Sequence, residues 1–187
     1  VEPHLNGPGG DLPAIFYSRR EDRVRVLCAQ GPAPAAATIK AYRDLDLDLI
    51  PGSGFLAAVV PGAFDGWLTL LRDYGTHSLP DVLTPAIGYA RNGYPVVERI
   101  TATVETVREL FETEWPTSAA VYLKGGAAPQ PGTLFANPTM ADTYQRILTE
   151  AEAGGGSREA VIDRARAIWA KGWVAATIDR FVHGEPM

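Results

Sequence analysis

The side chains able to carry chemistry are few and scattered along the 187 residues. A single cysteine, Cys28, excludes a disulfide within the chain. It lies in an apolar stretch, so a buried structural thiol in a strand accounts for it better than a nucleophile. His4, His77 and His183 are far apart, and neither H-E-x-x-H nor a Cys-His cluster occurs, so no metal site is expected. Asp44, Asp46 and Asp48 have the D-x-D-x-D spacing of a calcium loop. Leu49 stands where that loop needs glycine and Phe55 where it needs its bidentate acid, which leaves a solvated acidic edge. Gly7, Gly9 and Gly10 suit tight turns, but with no G-x-G-x-x-G spacing and no GK[ST] ending they do not read as a phosphate cradle. No two carboxylates announce an acid–base pair of the glycosidase kind. No cofactor is expected.

Bulk properties narrow the classes further. A hydrophobic content of 46% supports a real core, and a net charge of −5 argues against nucleic acid or a basic membrane-surface role. No apolar run is long enough to span a bilayer. Neither a repeat nor an internal boundary is visible, so 1–187 reads as one domain fragment. Val1-Glu2-Pro3 begins without the charged start and apolar run of a signal peptide. The native N-terminus is therefore expected to be missing, and localisation cannot be read.

The positioning elements centre on Val59 to Pro95. Pro61 and Gly62 open a helix whose Phe64, Trp67, Leu68, Leu71 and Tyr74 recur at helical spacing and should bury one face. Gly75 is expected to end it in the left-handed conformation. Ser78, with Asp81 three residues on, predicts a capping box for a second helix that Gly93 and Pro95 stop and Pro85 should bend. Ala14 to Ser18 and Val24 to Cys28 predict a hairpin joined by Arg19 to Arg23, with Arg23 and Arg25 on its wet face. Pro34 to Arg43 should be a short helix and Pro51 to Gly54 a loop.

Further along, Val97, Ile100, Val104, Val107 and Phe111 predict one amphipathic helix, ended by Glu112 to Pro116. Tyr122 to Ala136 reads as a loop. Asn137 then caps a helix begun by Pro138 and buried through Met140, Tyr144, Ile147, Leu148 and Ala151. Gly154 to Gly156 break it. Ser157 caps another helix, with Val161, Ala165, Ile168 and Trp169 inward, and Gly172 separates it from a last one carrying Val174, Ile178, Phe181 and Val182. The four tryptophans suit core packing or interfaces. The fold class is α+β, predominantly helical with one β-hairpin.

Several of these blocks, in order, resemble the γ-glutamyltransferase family. The blocks are Val1-Glu2-Pro3 with Gly7, Gly9 and Gly10; Ala33-Pro34-Ala35 with Thr38; and Pro61-Gly62, Gly66-Trp67, Tyr74-Gly75, Pro85-Ala86, Ala90, Gly93 and Pro95. The match thins after Val97 and reappears near Gly172-Trp173. Asp11 interrupts the glycine run, a pattern similar to the acylase-like branch of these N-terminal-nucleophile hydrolases.

The resemblance implies the front part of the large subunit of an αββα sandwich, in a zymogen that cleaves itself. It also implies amidase or acyltransferase chemistry on γ-glutamyl compounds such as glutathione, or on other acyl amides, and a small subunit of the same precursor as partner. The family nucleophile is a threonine freed as a new N-terminus, with its α-amine as base. Thr76-His77-Ser78 imitates that context but stands where homologues have an ordinary corner, so no catalytic residue is assigned within the chain. Family members specific for γ-glutamyl groups hold the substrate carboxylate with an arginine just before Ala-Pro-Ala. Here that place falls to Gln30, the one substrate-binding candidate, which offers an amide without charge; a turn residue bonded to backbone explains it equally well. The competing reading is a non-catalytic helical interaction module of the same fold, supported by the missing nucleophile and the anchoring aromatics. If half a sheet lacks its partners, apolar surface should lie open.

Overall fold

The computed structural model describes residues 5–184; Val1-Glu2-Pro3 and His4 lie outside them. In chain order the elements are β1 (Leu12–Ser18), β2 (Arg23–Ala29), α1 (Ile39–Arg43), α2 (Ala63–Tyr74), α3 (Leu79–Asn92), β3 (Tyr94–Pro95), α4 (Glu98–Thr106), α5 (Arg108–Thr113), α6 (Pro116–Tyr122), β4 (Leu134–Phe135), α7 (Pro138–Ala153), α8 (Arg158–Lys171) and α9 (Trp173–Val182). The fold is mostly helical with small antiparallel sheets. Contacts gather the chain into two units, one of 7–76 with 154–184, the other of 5–6 with 77–153.

In the first unit β1 and β2 pair from Leu12↔Ala29 to Ser18↔Arg23. Asp22 turns the hairpin at φ +51°, a left-handed value that aspartate tolerates. Cross-strand partners share a face. One face therefore holds Leu12, Ala14, Phe16, Arg25, Leu27 and Ala29, and the other Pro13, Ile15, Tyr17, Val24, Val26 and Cys28. The wet face is the reverse of the one expected. Ile15 (75% exposed), Tyr17 (58%), Val24 (59%) and Val26 (72%) face outward, whereas Arg25 is half-buried. Alternation defines two faces, but a covering element decides which is dry, and here α2 lies on the arginine side. Phe16 meets Tyr74 edge-on at 4.7 Å, and Arg25 is neutralised by Glu21.

The core of this unit is α2 against α8. Phe64 stacks on Trp169 at 4.5 Å, and Ala63, Leu68, Ile162, Ala165 and Val174 are buried around them. Trp67 and Leu71 are only partly buried and Tyr74 is exposed, so the dry stripe of α2 is narrower than its spacing suggested. On α8, Ile162 takes the fully buried place expected of Val161, and Ile168 is half-buried. On α9 only Val174 is buried; Phe181 and Val182 lie exposed. Gly75 is extended (φ −82°, ψ 163°), not left-handed. Glycine is needed there for space, because a Cβ would stand 2.7 Å from the Leu71 carbonyl oxygen. The helix predicted from Pro34 shrinks to α1, capped by Thr38 Oγ1, which accepts from the Ala41 N–H at 3.1 Å. Pro34 to Ala37 forms a turn instead.

In the second unit α3 packs on α7 through Leu79, Leu83 and Ile87 on one side and Ala141, Tyr144, Ile147, Leu148 and Ala151 on the other. Ala141 replaces Met140 on the buried face. The expected capping box is present, with Ser78 Oγ accepting from the Asp81 N–H and Asp81 Oδ2 accepting from the Ser78 N–H at 2.9 Å. Asn137 Oδ1 accepts from the Met140 N–H at 3.1 Å, as its place before Pro138 predicted. The helix expected over Val97 to Phe111 breaks at Val107 (φ −107°, ψ 11°) into α4 and α5. Thr101, Thr103, Val104, Thr106 and Val107 crowd this stretch with β-branched side chains that tolerate helix poorly. Val97 is the exposed N-cap, not a core residue. Pro116 opens α6, which the sequence did not reveal, and the loop predicted over Tyr122 to Ala136 contains β4, paired Tyr94↔Phe135 and Pro95↔Leu134. A second core of Tyr94, Val96, Ile100, Val104, Leu123, Ala128 and Phe135 forms there.

Candidate functional site

The family-like residues of the first unit converge where the hairpin runs into α2. Gly62, the N-cap of α2, has no side chain to satisfy the first helical N–H groups. The glycine-rich loop satisfies two of them. Ala63 N–H donates to the Gly10 carbonyl at 3.2 Å and Phe64 N–H to the Pro8 carbonyl at 3.4 Å. The loop is thus a backbone cap.

The Pro-Gly-x-x-x-Gly spacing has an equally local cause. Gly31 sits at φ +83°, and a Cβ there would lie 1.9 Å from the Val60 carbonyl oxygen. At Gly62 a Cβ would lie 2.6 Å from Gly31 N, and at Gly66 it would lie 2.3 Å from Ala29 Cβ. Gly62 and Gly66, one helical turn apart, let α2 press against the chain leaving β2. The Val60 N–H to Pro32 carbonyl bond, 3.0 Å, closes the contact.

Gln30 stands in this junction and is exposed. Its Oε1 accepts from the Cys28 thiol at 3.2 Å. Cys28 itself is exposed, contrary to the buried role expected, because β2 turns it to the open face. Beyond Gln30, Pro32 and Pro34 enter an open groove of 1110 Å³, with Val60, Trp169, Ile178 and Phe181 along its apolar wall. Gln30 is not among the groove's lining residues. Thr76 is exposed, and Ser78, two residues on, is committed to the α3 cap. Among the described residues no group of three or more His, Cys, Asp or Glu side chains could hold a metal. Nor is any described helix long and apolar enough to cross a membrane.

The strongest polar features hold the scaffold. Arg158 donates to the carbonyls of Leu71, Arg72 (3.2 Å) and Gly75 (2.8 Å), and Arg20 donates to that of Asp73 at 3.0 Å. Two cations thus meet the negative end of α2. Arg166 grips Asp65 through two bonds, 2.7 and 3.3 Å, while Asp163 bridges Arg166 and Arg72. The bond from Arg72 holds the carboxyls of Asp73 and Asp163 below the usual carboxylate range. Burial raises Tyr94 and Tyr144 to about 12. The sequence signalled none of these contacts, since Arg158 finds its acceptors 83 to 87 positions away. The only local hint was its place after the cap Ser157.

The chain belongs to the gamma-glutamyltranspeptidase family, whose model matches residues 1–185. It is 34% identical over 155 residues to the glutathione hydrolase-like YwrD proenzyme of Bacillus subtilis, covering 82% of this chain and 29% of that protein. It is also 34% identical over 157 residues to the oxamate amidohydrolase proenzyme of Klebsiella pneumoniae, covering 80% and 29%. Among solved structures it resembles LmbA2991HD (57% identity, TM-score 0.89, 96% of this chain and 31% of that one). The chain therefore spans about three tenths of the length of these relatives.

Proposed function

We propose that residues 1–187 are one domain fragment, the front part of the large subunit of a γ-glutamyltransferase-like amidase or acyltransferase with an αββα core. Its nucleophile would be an N-terminal threonine on a small subunit of the same precursor, outside this chain. The observation that carries this reading is a proportion: the match to a related proenzyme covers 82% of this chain but only 29% of that protein. The exposed hairpin face and the family glycines at the hairpin–α2 junction fit the same reading.

In the reaction the threonine hydroxyl attacks the amide carbonyl while its α-amine takes the proton. Backbone donors hold the oxyanion, and the amine leaves with the proton. Water or a second amine then releases the acyl group. Gln30, on this reading, touches the acyl side. It can donate a hydrogen bond but cannot pair with a carboxylate as a guanidinium does, which favours neutral acyl groups.

Amidase assays on the full gene product and on residues 1–187, with γ-glutamyl anilides and neutral acyl amides, test this. Turnover is expected from the full product alone, with neutral acyl amides preferred. Turnover by residues 1–187 that survives further purification would contradict it. The open apolar face also favours a second reading, a non-catalytic interaction module, which predicts no turnover by any product of the gene.

A further inference from the structure

The 1110 Å³ groove lies wholly within the unit of 7–76 and 154–184. Pro32, Pro34, Val60, Trp169, Ile178 and Phe181 make its wall apolar. Packed rings hold that wall: Trp169 is buried and stacks on Phe64, and Phe55 meets Phe181 edge-on at 6.0 Å. The polar side chains of the lining are engaged with one another or with their surroundings. Trp169 Nε1 donates to the Pro61 carbonyl at 3.3 Å, Arg166 holds Asp65, and His183 Nδ1 lies 3.5 Å from Asp179 Oδ1. Lys171, the remaining charged residue of the lining, is exposed. An extended peptide laid here would bring an N–H and a C=O per residue and find few partners for them. A hydrocarbon chain forfeits no hydrogen bonds and gains burial.

One end of the groove adjoins Gln30. The next residue, Gly31, packs on Val60 so closely that a Cβ would stand 1.9 Å from the Val60 carbonyl oxygen. The Val60 N–H donates to the Pro32 carbonyl at 3.0 Å. The chain therefore passes from Gln30 straight into the groove wall at Pro32.

We propose that this groove is an acyl pocket, which takes a medium-length alkyl chain whose amide carbonyl lies near Gln30. The proposal rests on the reading of the precursor as an amidase and adds the class of acyl group. Ile178 and Phe181, three residues apart on α9, together with Trp169, set the length of chain accepted.

The test gives the full gene product p-nitroanilides of unbranched acids from acetyl to decanoyl. The value of kcat/KM is expected to rise about two- to fourfold with each methylene up to about octanoyl, as burial of a CH2 against an apolar wall requires. Phe181→Ser should flatten that rise. Phe181 is 41% exposed, so its replacement leaves the buried core of the unit in place, and an unchanged urea midpoint checks this. A flat chain-length profile in the parent protein, or an equal rise in Phe181→Ser, overturns the proposal. An octanoyl anilide with a terminal diazirine reads binding without turnover. Crosslinks to 32–36 or 169–183 are expected; crosslinks only elsewhere, as when a polypeptide segment fills the groove, overturn the proposal. Turnover with a flat profile defeats the acyl pocket alone, and groove crosslinks without turnover of any amide defeat the enzymatic reading alone.

Discussion

Two glycines inside helices should respond in opposite directions to the same substitution. At Gly66 in α2, alanine gains about 1 kcal/mol of helix propensity over glycine. Its Cβ, however, would stand 2.3 Å from Ala29 Cβ and 3.0 Å from Leu12 Cδ2. Carbon atoms pack best at about 3.5–4.0 Å, so α2 and β2 must separate by roughly 1.5 Å. The Ala29 methyl hangs directly on the backbone and cannot rotate aside. Overpacking of this kind costs about 1–3 kcal/mol, and the rigid neighbour argues for the upper part of that range. The net expectation for Gly66→Ala is a loss of about 1–2 kcal/mol. Gly88 in α3 has nothing within 4 Å of the place a methyl would take, so Gly88→Ala should gain up to about 1 kcal/mol. With a urea slope of about 2 kcal/mol per molar, the midpoints should move down by roughly 0.5–1 M for Gly66→Ala and up by about 0.5 M for Gly88→Ala. Equilibrium unfolding in urea, followed by far-ultraviolet circular dichroism, reads both. A Gly66→Ala variant as stable as the Gly88→Ala variant would refute the close approach between hairpin and helix.

Other substitutions probe the polar staples and the candidate site. Arg158→Ala removes donors from the Leu71 and Arg72 carbonyls of α2 and from that of its C-cap Gly75 and should cost about 2–3 kcal/mol, whereas Arg146→Ala, which breaks an exposed pair with Glu150, should cost under about 1 kcal/mol. The same urea midpoints measure the contrast. Asp73 and Asp163 titrate below their ordinary range because Arg72 bonds to them, and Asp81 does so because the Ser78 hydroxyl and N–H bond to it. Groups depressed by folding stabilise above their unfolded value and lose that contribution as pH falls through the folded value. The urea midpoint should therefore hold from pH 8 to about pH 5 and drop below about pH 4, and Asp163→Asn should shrink the drop. In the full gene product Gln30→Ala should raise KM for neutral acyl amides several-fold, by about the loss of one hydrogen bond, with the urea midpoint unchanged. An unchanged KM would leave Gln30 as a turn residue.

Local rules made much of this fold legible. Ser78 with Asp81, Asn137 before Pro138, Ser157, and the breaks at Gly93 and Gly172 all rest on interactions within a few residues, and each stands where it was expected. Long-range geometry was hidden. The alternation in β2 could not say that α2 would cover the Arg25 side, and so it placed Val24, Val26 and Cys28 on the wrong face. The sequence marks Gly75 as necessary, but for a left-handed dihedral it does not adopt; the Leu71 carbonyl explains it. Pro116 read as a stop although it opens α6, because proline suits both the end of one helix and the first turn of the next. At the candidate site the sequence marked Gln30 and the family glycines, yet Arg158 and the Asp65–Arg166 pair emerge only when distant segments meet.

The central claim is that these residues scaffold a self-cleaving amidase whose reactive threonine lies elsewhere in the precursor. Intact mass spectrometry of the full gene product, before and after incubation, addresses it most directly. The expected result is conversion of one mass into two that sum to it plus a water, the smaller beginning with threonine and the larger containing residues 1–187. A precursor that keeps a single mass through prolonged incubation would contradict the claim.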